Sequence, residues 1–256
     1  MICAGGAITE IVYALGAEKS LVAVDTTSVF PQAALALLKI GYLRTLSAEG
    51  VLSLRPTLLL TTTEAGPPQV IAQLKQAGLR MEVVSADHSF DELRNKVKAV
   101  STALGMPEQG RKLDASLQAD WSATQKYVRA KSAGRKPKVL FILSHTPSST
   151  TVAGQGTAAE TMIQYAGGVN AMQGFTGYKP LVAESVIAAA PDLIAITREG
   201  LEAIGGPEKL WAKPGLALTP AAKTRRMTAP DALYFLGFGP RLPQAVKDLA
   251  EKMYGA

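Results

Sequence analysis

Two stretches from the first quarter of this chain recur, in the same order, in its second half. Ala4–Ala17 reads AGGAITEIVYALGA and Ala153–Gly168 reads AGQGTAAETMIQYAGG, each a glycine-containing turn entering a helix with Thr and Glu near its start. Ser47–Thr62, SAEGVLSLRPTLLLTT, is answered by Val182–Thr197, VAESVIAAAPDLIAIT. In both, a short helix opened by Ala-Glu ends before a proline, and a buried strand follows. Two matched pairs in one order restrict the chain to architectures made of two similar halves, and 256 residues suffice for two small cores.

Within each half, short apolar β-branched runs alternate with helical patterns. Leu21–Asp25, Thr57–Thr62, Met81–Val84, Lys138–Leu143 and Asp192–Thr197 read as strands; Thr9–Leu15, Pro67–Gln76, Phe90–Leu104 and Ala158–Ala166 read as helices. That alternation predicts parallel sheets built from βα units. From Pro107 to Ala130 the pattern changes, with Leu113, Leu117, Trp121 and Val128 spaced as on one face of a long amphipathic helix. The basic break KSAGRKPK follows it. The expected organisation is an N-terminal α/β lobe over residues 1–106, a linker helix over 107–134 and a C-terminal α/β lobe over 135–256. Ligands of such proteins are expected in the cleft between lobes, at the carboxyl ends of parallel strands.

Composition narrows the function. Hydrophobic residues make up 47% and charged residues 19%, which fits a globular chain and excludes a disordered one. The single cysteine, Cys3, rules out an internal disulfide and reads as a small buried strand residue. The formal net charge of +6 is spread out, its densest clusters being Lys131–Lys138 and Lys223–Arg226, without the aromatic interleaving of a nucleic-acid binder. An anionic small ligand or an acidic surface suits it. No apolar run approaches the roughly 20 residues of a membrane span, and the opening MICAGGAITEIV lacks the form of a signal peptide, so an export signal is expected to have been removed. There is no nucleophile elbow, P-loop or dinucleotide fingerprint, and only two histidines, His88 and His145. That points away from an enzyme, and two histidines do not readily furnish a free zinc or manganese site.

Over nearly its whole length the chain resembles the haem-binding periplasmic proteins of bacterial ABC haem-uptake systems. These belong to the helix-linked class III of periplasmic binding proteins, which also holds vitamin B12 and siderophore binders. The likeness is carried by AGGAITEIVYALGA, VDTTSVFP, IGYLRTLSAEGVLSLRPTLLL, AGQGTAAETMIQYAGG, GYKPLVAESVIAAAPDLI and LGFGPRLPQA, with Gly41–Gly50 the most haem-specific segment. The resemblance implies two Rossmann-like lobes with parallel sheets joined by a long linker helix, in a periplasmic monomer that binds one or two ferric haems. It also implies delivery to an ABC permease dimer with its ATPase. A siderophore or corrinoid carrier of the same class is the alternative.

The resemblance further implies that Tyr42 holds the haem iron and that Arg44 attends it. Relatives commonly carry Tyr where this chain has Phe30, so one auxiliary phenol is missing here. Ferric iron is a hard cation that favours an anionic oxygen. A free phenol, with pKa about 10, is neutral at pH 7; coordination and a nearby guanidinium both favour the phenolate. Residues 42 and 44 are expected on one side of an extended loop, where Arg44 can approach the phenolate or a propionate.

The second lobe is expected to add polar groups. Arg198 follows the strand Asp192–Thr197 and is a candidate partner for a propionate, or else a solvated loop arginine. His145 enters the loop HTPSSTTVAGQG and is a candidate sixth ligand, a ligand for a second haem, or a loop hydrogen-bonder. Tyr178 lies six residues before Glu184 as Tyr42 lies seven before Glu49, so it either faces Tyr42 or packs in its own lobe. In the wider class a pair of glutamates placed as Glu49 and Glu184 meets arginines on the permease. Both also suit a helix N-terminus.

Overall fold

The computed structural model describes residues 1–146 and 149–255, His145 by its backbone alone. The chain divides into two units: Met1–Ala119 with Gly237–Pro240, and Asp120–Leu236 with Arg241–Ala256.

The first unit begins with β1 (Ile2–Ala4), whose three residues are wholly buried, followed by α1 (Gly6–Ala14) and β2 (Ala23–Val24). Then come β3 (Leu38–Lys39), α2 (Ala48–Ser53), β4 (Leu59–Thr62), α3 (Pro68–Gln76), β5 (Met81–Val84) and α4 (Phe90–Ala103). The sheet has the order β3-β2-β1-β4-β5 and all its pairings are parallel. Ile2, Ala4, Ala23, Leu59 and Leu74 meet in its core, joined by Leu43 and Leu46 from the segment after β3. Buried Cys3 is a strand residue, as expected, and burial pushes its thiol up to about 12. Buried Asp25, one residue past β2, accepts hydrogen bonds from the Gly5 amide (3.0 Å) and the Ser28 hydroxyl (2.8 Å), tying β2 to the turn that enters α1.

The long amphipathic pattern forms one helix, α5 (Pro107–Ser132), and the boundary between the units falls inside it. Leu117 and Val128 are buried, with Thr124 between them. In the first unit α5 meets α4 through Arg94, which grips Asp114 with two nitrogens at 2.7 and 3.2 Å.

The second unit contains β6 (Lys138–Thr146), β7 (Ser149–Ala153), α6 (Ala158–Tyr165), β8 (Val169–Asn170), β9 (Tyr178–Pro180) and α7 (Ala183–Ala189). It continues with β10 (Leu193–Ile196), α8 (Arg198–Ile204), α9 (Pro207–Trp211), α10 (Pro220–Lys223), β11 (Met227–Thr228), α11 (Ala232–Leu236) and α12 (Leu242–Tyr254). The nine-residue β6 pairs in parallel with β10 along one edge; along the other, β8 takes Lys138 and Val139 while β7 takes the stretch from Ile142. β7 is antiparallel to both β6 and β9, so this otherwise parallel sheet carries one reversed strand. Leaving out β7 and β9, the run β8-β6-β10-β11 repeats the parallel run β2-β1-β4-β5 of the first unit. Much of the segment read as the loop HTPSSTTVAGQG therefore lies in strands, the end of β6 and the whole of β7, and Ser149–Ala153 is rich in β-branched residues that suit a strand. Pro147 and Ser148 of that segment lie outside the described residues.

The repeat extends to backbone detail. α2 and α7 both end before a proline, and the residue ahead of that proline is left-handed in each: Arg55 at φ 46° and Ala190 at φ 48°. Such a conformation is uncommon outside glycine, so its recurrence at matched positions is a strong sign of a shared plan.

Candidate functional site

In the first unit every strand is parallel, so the turns that leave the carboxyl ends of β2, β3, β4 and β5 share one edge of the sheet. Tyr42 stands three residues past β3. Gly41 precedes it at φ +88°, a conformation open to glycine and costly to other residues, and its carbonyl accepts from the Thr26 amide at 2.9 Å. Residues 43–45 then make a single 3-10 turn with Tyr42 as its first cap, in place of the expected extended loop. Leu43 is drawn into the core, which leaves Tyr42 and Arg44 together on the outside.

The two side chains meet. Arg44 Nη1 donates to the Tyr42 phenol oxygen at 2.8 Å, with the guanidinium 5.8 Å from the ring centre. Its Nη2 donates to Glu64 Oε1 at 2.6 Å. Burial works against the charge of Arg44, but the Glu64 hydrogen bond and carboxylate, with Tyr42 adding to them, hold its pKa above the ordinary value. Glu64 escapes a reading of sequence alone, since it lies 20 residues from Arg44 and enters no recognisable motif.

On the same edge His88, four residues past β5, packs its ring 5.3 Å from that of Phe238. Burial, then the neighbouring Lys96 charge, pushes His88 below its ordinary pKa. Lys96 is itself buried, its ζ-ammonium 3.4 Å from the Asp87 carbonyl, and burial lowers its pKa too. Phe30 occupies its position with an exposed ring and no phenol. Among the described residues there is no group of three His, Cys, Asp or Glu side chains able to hold a free metal ion.

The second unit places its candidates less decisively. Arg198 is the first residue of α8, just past the carboxyl end of β10 and behind its cap Thr197. It is no lone loop cation: Nη2 donates to Asp231 at 2.8 Å and to Glu199 at 3.4 Å. Tyr178 opens β9 with an exposed ring, and Gly177 before it adopts φ +77°, repeating the Gly41–Tyr42 step. His145 sits within β6, beside the register break between Ser144 and Thr146, not beyond the strand; its side chain lies outside those described.

Glu49 and Glu184 are both exposed in the first turns of α2 and α7. There they face the positive ends of short helices.

A model of the periplasmic binding protein family matches residues 1–232. A solved structure described as the periplasmic heme-binding protein BhuT in complex with two hemes superimposes with a TM-score of 0.95, at 47% identity, covering 99% of this chain and 97% of that one. The uncharacterized ABC transporter substrate-binding lipoprotein YvrC of Bacillus subtilis is 28% identical over 96% of this chain and 77% of its own length. The vitamin B12-binding protein of Vibrio cholerae is 29% identical over 79% of this chain and 71% of its own.

Proposed function

Since this chain belongs to the periplasmic binding protein family, we propose that it captures ferric haem outside the cytoplasm, in the periplasm, and hands it to an ABC-type importer. The cargo is favoured as haem over a corrinoid because the likeness is far greater to a haem-binding protein, at 47% identity, than to a vitamin B12-binding one, at 29%.

The observation that carries the reading is the exposed Tyr42 phenol with the Arg44 guanidinium bonded to its oxygen. The bond uses only part of that oxygen's accepting capacity. What remains is a lone pair open to Fe(III), a hard cation that favours an oxygen ligand of this kind. Arg198 and Tyr178 are proposed as further contacts to the cargo from the second unit, and His145 as a ligand to a sixth position or to a second haem. Arg198 already holds two carboxylates, so a propionate would have to compete with Asp231 for it.

For delivery, Glu49 and Glu184 are proposed as two docking points for arginines of a permease dimer served by its ATPase. Two exposed acids, one on each unit, would fix orientation through ion pairs that steer association more than they tighten it. The carrier is proposed to act as a monomer, and to bind rather than transform its cargo.

Titration with hemin followed by absorbance tests the reading. The expected result is saturable binding with a high-spin ferric spectrum and a phenolate-to-iron charge-transfer band that Tyr42→Ala abolishes. Unchanged affinity and spectrum in Tyr42→Ala would remove the ligand assignment; absence of any hemin binding would remove the cargo.

A further inference from the structure

Two bonds leave the Arg44 guanidinium, one to the Tyr42 phenol oxygen at 2.8 Å and one to the Glu64 carboxylate at 2.6 Å. The turn bearing Glu64 is built for the purpose. It follows β4, and the Thr62 hydroxyl accepts from the Glu64 amide at 3.2 Å. It is tied to the Tyr42 turn by two backbone bonds, from the Gly66 amide to the Leu43 carbonyl at 3.0 Å and from the Leu46 amide to the Gly66 carbonyl at 2.8 Å. Gly66 itself lies so near that an added Cβ would stand 3.4 Å from the Arg44 carbonyl oxygen. Phenol, guanidinium and carboxylate thus sit on two turns braced as one.

An ion pair this exposed contributes little to stability. What it does is restrict a long side chain that would otherwise sample many rotamers.

We propose that Glu64 is a positioning residue of the haem site, committing Arg44 to the phenol oxygen and withholding it from the propionates of the cargo. This rests on the reading of Tyr42 as the iron ligand. A charge-assisted hydrogen bond draws electron density from a phenolate oxygen and so weakens its donation to Fe(III). With Glu64 gone, the guanidinium is free to turn to a propionate and the phenolate becomes the stronger donor.

The full chain loaded with hemin serves for the test, comparing wild type, Glu64→Ala and Glu64→Gln by the position of the charge-transfer band and the ferric/ferrous midpoint potential. Glu64→Ala is expected to move the band to longer wavelength and lower the potential. Glu64→Gln still offers an oxygen to Nη2 and is expected to stay near wild type. A Glu64→Ala protein with both values unmoved, whatever its melting temperature, overturns the proposal, as does a Gln variant that behaves like Ala. Tyr42→Ala separates the two levels. If that variant keeps the band, the ligand reading fails; if it loses the band while Glu64→Ala leaves it in place, only the role of Glu64 fails.

Discussion

Gly110 of α5 lies against Ser101 of α4 with no space between them for a methyl group: a Cβ added at Gly110 would stand 2.5 Å from that of Ser101. Alanine usually stabilises a helix relative to glycine by about 1 kcal/mol, but overpacking costs about 1–3 kcal/mol. Gly110→Ala is therefore expected to lower the thermal midpoint. Gly50→Ala, in α2 where the added Cβ meets Ser47 at an ordinary 3.5 Å, is expected to leave it level or raise it. Calorimetry on the two variants checks the contrast.

The Asp114 carboxylate is held below its ordinary pKa chiefly by the hydrogen bonds of Arg94, with burial opposing. A depressed acid stabilises the fold above its unfolded value, about 3.9, and loses that contribution as the pH falls through the folded value. Asp114→Asn is expected to be less stable than wild type at pH 7 by about 1 kcal/mol at most, the pair being partly exposed. The difference should close on acidification. Denaturant melts between pH 7 and 3 measure it, and a gap that is constant with pH would rule out the ion pair as its source.

Replacing Arg44 by Leu removes the donor to the phenol oxygen and the positive charge beside it. The bond is already present without cargo, so what the variant loses on binding is the neighbouring positive charge that favours the anionic, iron-bound form of the ligand, which predicts a loss of hemin affinity of about tenfold. The charge-transfer band should persist but move, since Tyr42 remains. Titrations of the two proteins side by side provide the measure.

Glu49→Ala and Glu184→Ala are expected to leave hemin binding intact, because both acids are exposed in the first turns of α2 and α7 while the bonds of Arg44 run to Tyr42 and Glu64. Haem uptake into vesicles containing the cognate importer should fall in each variant and fall further in the pair. Full transport by the double variant would dismiss the docking role.

Much of this architecture is legible in the sequence because burial imposes periodicity. β5 falls where its apolar run predicts, α4 and α5 end within two residues of their amphipathic patterns, and the twin segments at α2–β4 and α7–β10 fold alike down to a left-handed residue before each proline. The antiparallel strand β7 is less visible, since STTVA is polar enough to pass for a loop until its pairing with β6 is known. At the site, the nearness of Tyr42 and Arg44 is foreseeable from two-residue spacing, though a 3-10 turn around buried Leu43 produces it and not an extended strand. Glu64 and Asp231 stay hidden because they reach their arginines from 20 and 33 residues away, through tertiary contact alone.

Phe238 is almost wholly enclosed, sits at a left-handed φ of 50° and belongs to a four-residue stretch that the chain's last fifth contributes to the first unit. A gene fragment ending at residue 119 would accordingly encode an incomplete body, with a hole where that ring should plug against His88. Anyone wishing to study the tyrosine-bearing half in isolation must splice the plug back in, or expect a product that melts early and sticks to itself.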